Sequence, residues 1–122
     1  NPNYYASVKL EEPENSFEVI KKMLTKNKKI SAIICSTEFS ALSAIKACNY
    51  LNYKIGKDIS IITFDGALVR DLSSPPITAV SFPVKELGKR AINILLDKNK
   101  NQTVNYLAKS EIIERGSVHI VN

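Results

Sequence analysis

One histidine and two cysteines among 122 residues remove whole classes of chemistry. A zinc centre needs several His or Cys ligands at short spacings, and Cys35, Cys48 and His119 fit no such pattern. There is no G-x-G-x-x-G and no phosphate-cradling P-loop, so dinucleotide and nucleoside-triphosphate chemistry has no sequence support. Cys35 has no base in its neighbourhood. His119 falls beyond the last expected strand and reads as a surface residue. A Ser36–His119–Asp65 triad is arithmetically possible, but the nucleophile-elbow sequence it would need is missing. Catalysis, a metal and a cofactor are therefore not expected. Long apolar runs are lacking too: none nears the ~18 residues of a membrane span. The start, "NPNYYASVKL", has neither the basic nor the apolar region of a signal peptide. The cysteines sit in apolar contexts, which suits buried, reduced thiols in an intracellular protein.

What is present suits one globular α/β domain. Hydrophobic residues make up 44% and charged residues 24%, a balance that can bury a core. Net charge is +5, and much of the excess lies in Lys21, Lys22, Lys26, Lys28 and Lys29. No arginine or aromatic interleaves with that cluster, so it reads as a solvated helix face rather than a nucleic-acid groove.

Periodicity gives the order of elements. Asn15 can cap a helix, with Glu18 as its reciprocal partner, and Phe17, Ile20 and Leu24 recur at helical spacing. "ISAIIC", Ile30 to Cys35, is short, β-branched and not alternating, as a buried parallel strand should be. Ser36 and Thr37 can cap the next helix, in which Phe39, Leu42, Ile45 and Cys48 share a face beside Ala41, Ala44 and Leu51. "ISIITF" and "ITAVSF" are two further buried strands. Pro83 can start a helix carrying Val84, Leu87, Ala91, Ile94 and Leu95 inward. Strand material recurs around Leu107 and at Glu111 to Glu114, and Gly116 marks a bend. This alternation predicts an α/β fold of three αβα layers, with a mostly parallel, doubly wound sheet and helices on both faces.

Asp65 ends an isoleucine-rich run, and Asp65-Gly66 invites a hairpin reading. The run before it does not alternate, and Arg70-Asp71 interrupts the run after it. A parallel strand whose carboxyl end opens into a loop fits better. Ligands of open α/β sheets sit outside such ends. A carboxylate there can accept hydrogen bonds from polyol or ribose hydroxyls. Ser36 and Thr37, at a helix start, add hydroxyls and free N–H groups. Plain turn and cap roles for all three remain open. Pro75 and Pro76 feed the chain in extended form into the strand at Ile77.

Taken in order, "SAIICSTEFSALSAIKACNYLNYKIGKDISIITFDG", "PPITAVSFPVKELGKRAINILL" and "EIIERGSV" resemble the C-terminal half of a LacI/GalR-family transcription regulator. The match runs from about Asn15 to Val118 and rests on the ordered set of motifs. The resemblance implies one lobe of a type I periplasmic-binding-protein-like fold. It implies that residues 1–122 are the effector-binding and dimerising portion of a larger protein, without the DNA-binding headpiece and most of the N-terminal lobe. The implied function is sensing a small sugar-like or nucleoside-like effector between lobes, in the cytoplasm, with operator DNA reached only through the headpiece. A lobe of a type I sugar-binding transport protein is the alternative. Asp65 stands where the family's effector-binding aspartate stands. Ser36 and Thr37 take the place of the usual Asn-Asp or Ser-Asp pair, so one charge is missing. Gly66 replaces a frequent acid or asparagine, and Leu10-Glu11-Glu12 lacks the family's stacking aromatic. The implied homodimer would use Phe39, Leu42 and Ile45 or exposed positions beside them. The helix within Phe82 to Asp97 would lose its neighbour on the absent lobe and pack elsewhere or swap with a second chain.

Overall fold

The computed structural model of the chain describes residues 4–7, 13–65, 72–96 and 105–120. The expectations for Leu10-Glu11-Glu12, Gly66 and Arg70-Asp71 fall outside those residues. In order, the elements are α1 (Pro13–Lys26), β1 (Ala32–Cys35), α2 (Glu38–Tyr50), β2 (Ser60–Phe64), β3 (Thr78–Ser81), α3 (Val84–Leu96) and β4 (Glu111–Ile113). The sheet runs β1-β2-β3-β4, with β1, β2 and β3 parallel and β4 antiparallel to β3. The mostly parallel α/β sheet read from the non-alternating runs is present. Parallel pairing of β2 with β3 also excludes a hairpin at Asp65.

The helices differ from expectation in instructive ways. α1 begins at Pro13, two residues before the expected cap. Proline suits that first turn, where its missing N–H would have no helical partner anyway. Glu18 pairs with Lys21 at 2.6 Å. Of the lysine cluster, Lys22, Lys26, Lys28 and Lys29 are exposed, while Lys21 lies 5.0 Å from the Phe17 ring and 5.2 Å from Tyr50.

α2 buries a stripe of small residues, Ala41, Ser43, Ala44, Ala47 and Cys48. Of the expected face of Phe39, Leu42, Ile45 and Cys48, only Cys48 is fully buried, together with Ala41 and Ala44 expected beside it. Phe39 is 60% exposed, and Leu42 and Ile45 are only partly buried against the core. Small side chains let α2 lie close to both β1–β2 and α1, and larger ones would hold it off. Leu24 of α1, Ile59, Ile61 and Ile77 complete this core.

Strand alternation puts Ile33, Cys35, Ile61 and Ala79 on the face that meets α2. The opposite face carries Ile34, Ile62, Phe64, Val80 and Ile112, of which Ile34 is 73% exposed. A helical layer on that second face was expected, and α3 does not supply it: none of its residues is buried. Its stripe of Val84, Leu87, Ile94 and Leu95, expected inward, is exposed. The sheet and the helix are amphipathic as read, but they meet no common partner within the described residues. α3 is instead held to the segment after it, where the Tyr106 hydroxyl donates to the Glu86 carboxylate and the Arg90 guanidinium lies 3.9 Å above the Tyr106 ring. Leu107, read as strand material, lies outside any strand and is fully open to solvent.

The "RGS" stretch closes the fold. Ser117 is fully buried between β2 and the start of β3. Its Oγ accepts from the Thr78 N–H at 2.8 Å and donates to the Ile61 carbonyl at 2.6 Å, while its own carbonyl accepts from the Ile61 N–H at 2.9 Å. The Arg115 N–H donates to Thr78 Oγ1 at 2.9 Å. Gly116 and Gly56 touch: a Cβ on Gly56 would lie 2.1 Å from the Gly116 carbonyl oxygen, and Gly56 has φ of +77°. The expected bend at Gly116 is thus the point at which the chain's return is latched to the sheet.

Candidate functional site

Two adjacent parallel strands end side by side. The register pairs Cys35 with Thr63, so Ser36-Thr37 and Phe64-Asp65 leave the sheet at the same carboxyl rim. Sequence reasoning required that juxtaposition, and opposite rims would have removed the site.

Each residue has a local reason for its place. Thr37 is the N-cap of α2 and is extended, with φ −141°. Its Oγ1 accepts from the Ser40 N–H at 3.2 Å, and its own N–H donates to Ser40 Oγ at 3.2 Å. This reciprocal box satisfies two donors that the helix start would otherwise leave open. Capping therefore accounts for Thr37 by itself, as the cap reading anticipated. Ser36 is exposed and precedes the helix's free N–H groups. Asp65 is exposed and left-handed, with φ +71°, and its N–H donates to the Val80 carbonyl at 2.8 Å. Aspartate tolerates that conformation better than most residues. The β2–β3 ladder thus fixes the backbone from which the carboxylate projects.

An aromatic pair stands at the same rim, and sequence reasoning overlooked it. Phe64 and Phe82 stack at 6.1 Å with planes 13° apart. They are the last residues of "ISIITF" and "ITAVSF", and that shared ending was the available signal. Apolar ring surface beside a carboxylate and hydroxyls is a combination that takes sugars and nucleosides, whose C–H faces lie on rings while their hydroxyls reach polar groups.

Other candidates separate. Cys35 lies next to the rim but is buried, and burial pushes its thiol up to about 12; the Ser40 hydrogen bond opposes that shift and Cys48 adds to it. Such a thiol stays protonated and inert. His119 is not a free surface residue. Its ring nitrogen lies 3.0 Å from Ser60 Oγ, which also accepts from the His119 N–H at 3.2 Å. Ser60 begins β2 and Asp65 follows its end, so roughly 16 Å of strand separates His119 from the rim. A Ser36–His119–Asp65 triad is sterically excluded. No group of three or more His, Cys, Asp or Glu side chains that could hold a metal occurs among the described residues. A cavity of about 530 Å³ lies beside β1 and includes Ser36 and Ser40; Asp65 and Thr37 do not line it.

Polar groups gathered at the carboxyl rim of a parallel α/β sheet stand where open sheets of this kind take ligands. The chain belongs to the family described as the periplasmic binding protein-like domain, whose model matches residues 2–118. It is 32% identical over 117 residues to the HTH-type transcriptional regulator RegA of Clostridium saccharobutylicum, covering 93% of this chain and 34% of RegA. It is 32% identical over 103 residues to the HTH-type transcriptional repressor PurR of Haemophilus influenzae, covering 83% of this chain and 31% of the repressor. Among solved structures it superposes on a LacI family transcriptional regulator from Bifidobacterium animalis subsp. lactis with a TM-score of 0.77 and 28% identity, over 88% of this chain and 40% of that one. The chain thus spans about a third of the length of the curated relatives it matches. No helix among the described residues is long and apolar enough to cross a membrane.

Proposed function

We propose that the chain is the effector-sensing and dimerising portion of a cytoplasmic LacI-type transcription regulator and performs no catalysis. The observation that carries this reading is the shared rim of β1 and β2, which brings Ser36 and Thr37 beside Asp65. The effector is sugar-like or nucleoside-like. Asp65 accepts its hydroxyls, Ser36 and the α2 N-terminus contribute further polar contacts, and Phe64 and Phe82 offer ring surface. Thr37 acts chiefly by holding α2 in place. One rim gives half of the contacts, and a second lobe closing over it gives the rest. Effector then shifts the lobe equilibrium by no more than its differential affinity for the two arrangements. Operator DNA is contacted by a headpiece outside this chain, whose spacing follows the lobe arrangement. The relatives named above are regulators, and no observation favours the sugar-transport alternative.

Dimerisation uses the outer side of α2. Phe39 is its exposed apolar anchor, with Leu42 and Ile45 contributing only the parts of their side chains that the core leaves uncovered. Exchange of C-terminal elements between protomers would cover the bare stripe of α3.

Isothermal titration of the full-length protein against hexoses, pentoses and purine nucleosides tests the effector reading. A binder should lose roughly 10- to 100-fold in affinity on Asp65→Ala, the cost of unpairing a desolvated charged hydrogen bond. Unchanged affinity removes Asp65 from the site.

A further inference from the structure

We infer that the rim takes an effector in which a flat aromatic ring is joined to a hydroxylated one, as in nucleosides and aryl glycosides, in preference to a free sugar, and that Phe82 sets this preference. The inference rests on the effector reading above and narrows it. Phe64 ends β2, one residue before Asp65, and Phe82 directly follows β3. Alternation sends both rings to the face away from α2, and it sends Ser36, one residue past β1, the same way. Ring surface and a hydroxyl therefore share one side of the rim, next to the carboxylate.

The rings are open. Phe64 is 37% exposed and Phe82 40%. Nearly parallel planes with centroids 6.1 Å apart mean an offset pair, in which each ring leaves part of its face uncovered. The other ring clusters are already occupied by cations: Lys21 and Lys46 lie over Phe17, Lys21 over Tyr50, and Arg90 over Tyr106. Among the described residues no lysine or arginine lies over Phe64 or Phe82 in this way. The polar capacity beside the rings is small by comparison. The Thr37 hydroxyl accepts from the Ser40 N–H, and the Thr37 N–H donates to Ser40 Oγ, so both side chains are spent on the cap. Ser36 and Asp65 remain to face a ligand. The two oxygens of a carboxylate suit a pair of neighbouring hydroxyls. A free sugar would set further hydroxyls against bare ring surface, where each one left unpaired weakens binding. A ligand with a flat ring fills that surface by stacking and keeps its hydroxyls for Ser36 and Asp65.

Isothermal titration of the full-length protein with two matched pairs tests it: adenosine against ribose, and phenyl β-glucoside against glucose. In at least one pair the ring-bearing compound should bind roughly tenfold or more tightly than its free sugar, the scale of one ring stacked on an aromatic side chain. Which pair responds tells a nucleoside from an aryl glycoside. Phe82→Ala should lower the affinity of the ring-bearing compound roughly tenfold and leave the free sugar unchanged. Phe82→Leu keeps apolar area without a ring and should restore only part of the loss. If Phe82→Ala does not fold, Phe82→Leu and Phe64→Leu carry the comparison. Free sugars that bind as tightly as their ring-bearing partners, a ratio that no ring variant moves, or no binding by any of the four compounds overturns the proposal. The effector reading fails separately. A free sugar that binds as well as its partner and is lost on Asp65→Ala keeps that reading and sinks this one. A ring preference that moves with Phe82 while Asp65→Ala has no effect keeps this one and removes Asp65.

Discussion

The chain has two halves that obey different rules. Between α1 and β3 the apolar residues Leu24, Ile59, Ile61 and Ile77 all disappear from solvent into one core. In α3 and in β4 apolar spacing buries nothing, since α3 has no buried residue and β4 is exposed throughout. The difference is not in amphipathicity, which both halves have. It lies in whether a complementary surface is within reach, because most helical stability in proteins comes from packing and not from propensity. Ser117 joins the halves, since its hydrogen bonds return the chain to Ile61 and Thr78 after the exposed excursion.

Urea denaturation of single variants can break that comparison. The largest effect belongs in the packed half. Ile61→Ala should cost about 2–5 kcal/mol, as removal of a buried isoleucine loses transfer energy and leaves a cavity. Gly56→Ala should follow at about 2–3 kcal/mol, because its left-handed backbone and the nearby Gly116 carbonyl oxygen both oppose a Cβ. Ser117→Ala removes the acceptor of the Thr78 N–H and a donor to the Ile61 carbonyl, both buried, and should cost about 1–3 kcal/mol. A Ser117→Ala chain as stable as the parent would mean that the latch is decorative and the halves are independent.

Sequence reasoning read the order of elements in the packed half, but not every buried face, and read the exposed half only as pattern. The three parallel strands were legible because "AIIC", "SIITF" and "TAVS" are short runs without the apolar-polar alternation of a half-solvated strand, although Ala32 and Ile34 of the first are exposed. The rim was legible because parallel strands force Ser36 and Asp65 to the same end. The buried stripe of α2 was read only in part, through Cys48, Ala41 and Ala44, because periodicity favours large residues, whereas close approach to two neighbours selects small ones and adds Ala47. The latch at Ser117, the His119–Ser60 bond and the Phe64–Phe82 stack are contacts between distant segments, which no local window carries. The bare face of α3 was invisible for the opposite reason, since a sequence gives an apolar stripe but not the surface that should meet it.

The two cysteines sharpen the comparison through pH. Burial raises Cys35 from 9.0 to about 12 and Cys48 from 9.0 to about 11. Folding therefore favours the protonated thiols. Their contribution is fully present below pH 9.0 and is lost as pH rises toward those folded values. Stability should fall between pH 9 and 11 by on the order of 4 kcal/mol for the two thiols together, and a Cys35→Ala, Cys48→Ala double variant should show a shallower fall over the same range. Because both thiols lie in the packed half, thiol-reactive dye should label them at the rate of global unfolding. Fast labelling of the native chain would place a local opening at the β1–α2 corner and weaken the contrast drawn above.

The smallest effect is the most discriminating. Leu95→Ser in the 122-residue chain should change stability by less than about 0.5 kcal/mol, the ordinary range for surface positions, because Leu95 is already solvated. If α3 packs against a second protomer or another lobe in a larger assembly, the same substitution there should cost about 1–3 kcal/mol, the worth of a buried leucine made polar. Measuring both gives the energy of the missing surface directly. Equal, small values would make α3 a solvated arm in every context, and its apolar stripe would then lack a physical reason.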